Sequence, residues 1–221
     1  MNKTSYICYN KIEVHQKNKN LGRKALEKVR KAPTEKINQW LKLLLVKLQT
    51  IELAHLTIDD LAQLSGKSKA TIYKYFESKE EVILAACQTR IDEVTPLIKN
   101  IHQDNDTPVE VRYRQLLEEF SARLADIRIS FFHDVQLYYP IAWEAISGVS
   151  DLFVNLLNDL YQQGMNMGLF RPISIELLKA LDRFFVTQII TNQSIFKDPN
   201  YTLKYLIRDY LRLRLEGLNK S

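Results

Sequence analysis

The sequence predicts an all-α protein of about nine helices, and three observations carry that expectation. Apolar residues recur at i, i+3, i+4 and i+7 through most of the chain beyond residue 33, the spacing that gathers side chains on one helical face. Only six glycines and six prolines interrupt 221 residues, which favours long helices with few turns. A hydroxyl residue followed three positions later by an acid, the capping-box form, marks three helix starts: Thr57 with Asp60, Ser78 with Glu81, and Thr107 with Glu110.

Residues 1–33 lack a sustained period and hold nine Lys and Arg against two acids, whereas 34–90 hold eight against seven and 91–221 fourteen against seventeen. The basic excess behind the net charge of +5 therefore sits in the N-terminal third. Such a segment is either a solvated tail or a basic arm that adds phosphate contacts beside a nucleic-acid-binding element. From Thr34, the residues Ile37, Trp40, Leu41, Leu44 and Leu48 share one helical face, and Pro33 and Thr34 mark its start.

The stretch from Thr57 to Lys79 reads as two short helices about a tight turn. Leu61 and Leu64 give the first an apolar edge, Gly66 supplies the left-handed residue that ends it, and Ser68 caps the second. Ile72 and Phe76 turn inward at i, i+4, which leaves Lys69, Ala70, Thr71, Tyr73 and Lys74 outward. Small, hydroxyl, aromatic and cationic side chains on one exposed helix face suit a DNA groove.

A long helix runs from Ser78 through Val82, Ile83 and Ala86 toward Ile98, with Pro96 placed to kink it. The stretch H-Q-D-N-D-T-P at 102–108 reads as a linker. Thr107, Pro108 and Glu110 then open a helix with Val109, Tyr113, Leu116, Leu117, Phe120, Leu124 and Ile127 on one face. Residues 128–143 are rich in aromatics and broken by Pro140. They form a packed core, or line an apolar ligand cavity in part, and the two are compatible; Tyr113, Phe120, Phe131, Phe132, Tyr138 and Trp143 are the candidates for its wall.

A helix from about Ile141 to Met167 follows, carrying Ile146, Val149, Phe153, Leu156 and Leu160, and Gly164 and Gly168 loosen its end. Two more helices close the chain, Ser174 to about Ile195 and Asn200 to about Gly217. Both are apolar on more than one side, where a solvated surface helix needs one stripe. In the last, Leu203, Leu206, Tyr210 and Leu213 make one face, and Ile207, Leu211 and Leu215 a second. The excess predicts burial against a second copy of the chain, with Leu181, Phe185, Leu203, Leu206, Ile207, Tyr210 and Leu211 at the interface.

Several function classes drop out. Cys8 and Cys87 are too few for a disulfide framework and have no metal or redox spacing, so a reducing cytoplasm is the expected location. No apolar run, Leu43 to Val46 included, comes near the length of a membrane span, and the N-terminus lacks the apolar stretch of a secretory signal. His15, His55, His102 and His133 share no ligand spacing, so no metal site is expected, and His133 reads as a hydrogen-bonded core or rim residue. No G-x-G-x-x-G, P-loop, H-E-x-x-H or G-x-S-x-G occurs, so neither an enzyme nor a cofactor is expected.

The stretch around Gly66 closely resembles the helix-turn-helix of the TetR family of bacterial transcriptional regulators. Thr57, Ala62 and Gly66 match the family's first helix and turn. Ser68, Thr71, Ile72, Tyr73 and Phe76 match its recognition helix, and Ser78, Lys79 and Glu80 match the start of the next. Ser65 stands where alanine is usual, Lys67 where an apolar residue is usual, and Ala70 where glycine is frequent. The resemblance implies a three-helix DNA-binding domain at 34–80 and a ligand-binding and dimerisation domain at 81–221. It further implies a homodimer that binds a palindromic operator in double-stranded DNA as a repressor and is released by an unidentified apolar small molecule. Lys69, Thr71 and Lys74 are then placed for base edges, with Ala70 between them. Thr57, Ser68, Tyr73, Tyr75 and Lys79 are placed for the phosphate backbone. The competing expectation is a TetR-like nucleoid-associated or protein-partner module with no small-molecule effector, and an apolar cavity in the C-terminal part discriminates the two.

Overall fold

The structure, a computed structural model, describes residues 33–124, 126–191 and 203–218. Within them the chain forms nine helices and no strand. These are α1 Glu35–Leu48, α2 Ile58–Ser65, α3 Lys69–Tyr73, α4 Lys79–Gln103, α5 Val109–Leu124, α6 Ile129–Tyr138, α7 Pro140–Asn166, α8 Ile175–Thr191 and α9 Leu203–Leu218. The basic segment 1–32 and the far end of the penultimate helix lie outside the described residues. Among those described, no helix is long and apolar enough to cross a membrane.

The face expected of α1 is buried as a unit, and Leu45 joins it. Thr34 caps this helix through its backbone alone, its carbonyl accepting from the Ile37 and Asn38 N–H groups. α1 to α3 gather against the first turns of α4 as a headpiece, where the Trp40 and Phe76 rings lie 6.1 Å apart. α4 is the spine of the molecule. It packs on α1 at one end and on α5 and α7 further along, and it remains a single helix through Pro96. Its C-terminal end is held by Arg112, which is buried: one guanidinium nitrogen donates to the His102 carbonyl at 2.9 Å and another to Gln163 Oε1 at 2.7 Å.

Helices α5 to α9 form the body. α5 contacts α4, α7 and α9, while α6 is held by α7 and α8. Pro140 sits in the first turn of α7, where its missing N–H breaks no helical bond. The end of α7 is tighter than its two glycines suggest. Gly168 takes φ 75, the left-handed region, while the N–H groups of Leu169 and Phe170 both donate to the Gly164 carbonyl. The Phe170 ring lies so close over Gly164 that a Cβ there would overlap it. Gly164 is therefore required by packing.

The last helix corrects one expectation. Ile207 and Leu211, expected at an interface with a second copy, are buried within the subunit itself against α5 and the body core. The excess apolar surface lies elsewhere: Phe184 is 63% exposed and Leu213 70%, with Leu177 and Leu181 also facing solvent. Phe185, Leu206 and Tyr210 are half-buried, and the Leu203 side chain lies outside the described residues.

Candidate functional site

The turn between α2 and α3 is built from short-range bonds. Thr57 and Asp60 close a reciprocal capping box, in which Asp60 Oδ2 accepts from the Thr57 N–H at 2.8 Å and the Asp60 N–H donates to Thr57 Oγ1 at 3.2 Å. The Thr57 hydroxyl and N–H hold the Asp60 carboxyl below its ordinary range. Gly66 ends α2 at φ 65, a conformation that costs glycine nothing. Ser65 spends its hydroxyl on the Leu61 carbonyl at 2.5 Å, and Lys47 donates to the Leu64 carbonyl at 2.7 Å, so the end of α2 is tied inward. Ser68 caps α3 by accepting from the Thr71 N–H at 3.1 Å.

α3 is one helical turn and ends at Tyr73, earlier than the Ile72 and Phe76 spacing suggests, yet both side chains are buried. Its other face holds Lys69, Ala70, Tyr73 and Lys74 in solvent, with Thr71 half-buried beside them. Lys69 pairs with Asp59 of α2 at 2.6 Å, which raises the ammonium's pKa, first through the hydrogen bond and then through the charge. Lys74 lies 5.6 Å over the Tyr75 ring. Ser68 and Thr57 are exposed at the starts of α3 and α2, where unpaired helix N–H groups favour anions. Lys79 differs from the other cations. It is half-buried, donates to the Leu56 carbonyl at 2.9 Å and lies 6.0 Å from the Tyr139 ring, so its ammonium is committed to the fold.

The body holds a partly open cavity of about 110 Å³ between α4 and α5 to α9, reached also by Leu45 of α1. Phe120, Phe131 and Phe132 belong to its wall. The other three residues expected there do not. Tyr113 lies deeper, its hydroxyl 3.2 Å from that of Tyr161 and donating to the Leu211 carbonyl at 3.3 Å; Tyr138 faces solvent, and Trp143 packs outside the wall. Cys87 also lines the cavity, its thiol pushed up to about 12 by burial and therefore unreactive.

Two charged residues reach the wall, Arg90 and Asp182. Neither was singled out from sequence. Asp182 does carry a signal, since Leu178, Asp182 and Phe185 fall at i, i+4 and i+7 on one stripe of α8, and a carboxylate on a buried stripe asks for partners. Its Oδ1 accepts from the Tyr210 hydroxyl at 2.9 Å and lies 3.3 Å from Arg214 Nε, while Oδ2 meets Asn158 Nδ2 at 3.4 Å. Burial pushes this carboxyl above its ordinary range, against the pull of Arg214, Tyr210 and Asn158. Phe185 and Tyr210 stack at 3.6 Å beside it.

α6 joins cavity to headpiece. It supplies Phe131 and Phe132 to the wall, while Asp134 Oδ2 accepts from the Leu53 N–H at 3.1 Å and the Arg128 N–H donates to Gln49 Oε1 at 2.7 Å. The hydroxyl of Tyr139, just beyond the helix, donates to the Leu53 carbonyl at 3.2 Å. These cross-links lie between residues about eighty positions apart, which no local pattern reveals.

Residues 53–86, from the α1–α2 loop into α4, match the family model for bacterial regulatory proteins of the tetR family. YvaF, an HTH-type transcriptional regulator of Bacillus subtilis, is 25% identical over 153 residues, which is 67% of this chain and 75% of YvaF. Among solved structures, the ketosteroid transcriptional regulator KstR2 of Mycobacterium tuberculosis superposes with a TM-score of 0.62 at 18% identity, over 86% of this chain and 99% of that one. The transcriptional regulator FadR of Bacillus subtilis, solved with stearoyl-CoA, gives a TM-score of 0.58 at 14% identity over 81% and 97%. At such identities the likeness to the two solved structures is one of fold.

Proposed function

We propose that this chain is a TetR-family transcriptional regulator and not an enzyme, a cytoplasmic homodimeric repressor released from a palindromic operator by a largely apolar small molecule; the match of residues 53–86 to the tetR family model and the likeness to YvaF support the reading. The observation that carries the reading is the outward face of α3, where Lys69, Ala70, Tyr73 and Lys74 stand clear of a turn anchored by Ile72 and Phe76. One such face per subunit, doubled by a two-fold axis, reads two half-sites in inverted orientation. The headpiece 34–80 is then the DNA-binding part and 81–221 the ligand-binding and dimerisation part. The solvent-facing Leu177, Leu181, Phe184 and Leu213 supply the surface for the second copy.

The cavity favours the effector reading over a TetR-like module without an effector. Its wall includes Leu45 of α1 and Cys87, Arg90, Ile91 and Val94 of α4, so an occupant would bear on the helices that carry the headpiece. FadR, similar in fold, was solved in complex with stearoyl-CoA, which supports this use of the body. Coupling is reciprocal: a ligand that weakens DNA binding about tenfold binds the DNA-bound protein about tenfold more weakly.

Selection of bound duplexes from a random pool tests the proposal. Enrichment of an inverted repeat is expected, and a pool that stays unenriched would falsify the assignment of α3. Tyr73→Ala should lower affinity for every duplex, whereas Lys69→Ala should relax preference at one position, by about tenfold if the ammonium reads a base edge.

A further inference from the structure

We infer that the cavity selects a small neutral hydroxyl-bearing molecule, its short hydrocarbon body among the apolar side chains and its hydroxyl on Asp182, and that it rejects carboxylates and ammonium ions. The inference rests on the effector reading above and adds the chemistry of the ligand.

Charge is the first ground. Both charged residues of the wall already hold counter-charges: Arg90 meets Asp126 at 2.8 Å and Glu93 at 3.7 Å, and Asp182 meets Arg214 at 3.3 Å. The rest of the wall is almost wholly hydrocarbon, with Phe120, Phe153, Leu157 and Val186 representative. A ligand bearing either charge would carry it unpaired into this chamber, and burial of an unpaired charge is far costlier than burial of a hydroxyl that finds a partner.

Hydrogen bonding is the second. The wall is short of donors beside Asp182. A carboxylate has about four acceptor positions, yet among the described residues Oδ2 has only the 3.4 Å contact from Asn158. Arg214 Nε and Nη2 lack hydrogen-bond partners among the same residues, but the guanidinium lies over the Tyr161 and Tyr210 rings at 5.3 and 6.0 Å and is not part of the wall. A hydroxyl supplies a donor to Asp182 and disturbs neither ion pair; a carboxylate supplies none and opposes Asp182.

Size is the third. At the ~30 Å³ that one water occupies in the liquid, 110 Å³ is the space of about four waters, less than the ~150 Å³ of a cavity that takes benzene, hence of about five heavy atoms. Butyl compounds fall in that range.

Calorimetric titration of the full chain with 1-butanol, butyrate and butylammonium decides the matter. For the wild type, 1-butanol should bind at least about tenfold more tightly than either ion. Asp182→Asn strands Arg214 and should move the preference to butyrate; Arg214→Gln strands Asp182 and should move it to butylammonium. Either variant alone is decisive, and if neither folds the wild-type ranking still is. Equal or tighter binding of an ion to the wild type overturns the inference but leaves the effector cavity standing. So does a folded variant whose ranking stays unchanged. If none of the three probes binds, the inference and the effector reading fall together.

Discussion

Headpiece and body are both helical, and each buries an apolar core, but they are tied together over different distances along the chain. In the headpiece, side-chain bonds join Thr57 to Asp60, Ser68 to Thr71 and Ser65 to Leu61, three or four positions apart. In the body, Arg112 reaches Gln163, Tyr113 reaches Tyr161 and Leu211, and Tyr210 reaches Asp182. The contrast has a functional sense. A surface that must present the same side chains in every encounter with DNA is built from caps and a turn that each hold their own geometry. The body is assembled from distant pieces, so its helices can stand apart far enough to leave a chamber, and under the proposed function a ligand entering there would change contacts between elements that are remote in sequence.

The largest test of this contrast is at α9. Leu211→Asp places a charge in the subunit core and should destabilise the fold by more than about 4 kcal/mol, measured by urea denaturation. Leu181→Asp, on the outward face of α8, should leave the unfolding of the subunit nearly unchanged and shift sedimentation from dimer to monomer. If Leu211→Asp yields a stable monomer instead, the division of α9 into an inward and an outward face is wrong.

Gly164→Ala comes next, at about 1–3 kcal/mol, because the new methyl meets the Phe170 ring and one of the two must move. Phe170→Leu should restore part of that loss in the double variant. Independent effects at these two positions would show that the end of α7 is looser than described.

Thr57→Ala removes a single local cap and should cost about 1 kcal/mol, with the loss confined to hydrogen exchange in α2 and α3 while the body keeps its protection. It should also flatten the acid limb of headpiece stability. The Thr57 hydroxyl, and after it the N–H that alanine keeps, holds the Asp60 carboxyl below its ordinary range, so the cap is present above that range and lost as pH falls through the lowered pKa, and the variant loses the larger of the two holds. Protection lost equally throughout the chain would mean that headpiece and body unfold as one unit.

The smallest effect concerns Lys69. Asp59→Asn releases its ammonium from the 2.6 Å pair and should strengthen duplex binding a few-fold at low salt, an advantage that fades as salt rises. Unchanged affinity at low salt would show that Lys69 stays clear of the duplex.

By itself the sequence determined the helices, the caps at Thr57, Ser68 and Ser78 and the turn at Gly66, because each is decided by residues within one or two turns of each other: a hydroxyl before an acid, a glycine where φ must be positive, an apolar period of 3.6. That was enough to place Lys69, Ala70, Tyr73 and Lys74 on an exposed face and to bury Ile72 and Phe76. The box expected at Thr107 and Glu110 is not formed, the Thr107 hydroxyl donating to Asp104 instead. Tertiary structure alone decided which of two apolar faces on α9 turns inward, since both carry leucines and only the position of α5 distinguishes them. It alone committed Lys79 to the Leu56 carbonyl and left Tyr113, Tyr138 and Trp143 out of the cavity wall while admitting Leu45, Arg90 and Asp182. A cavity is the space between helices that meet through contacts up to a hundred residues apart, and periodicity along one helix carries no record of where the others stand.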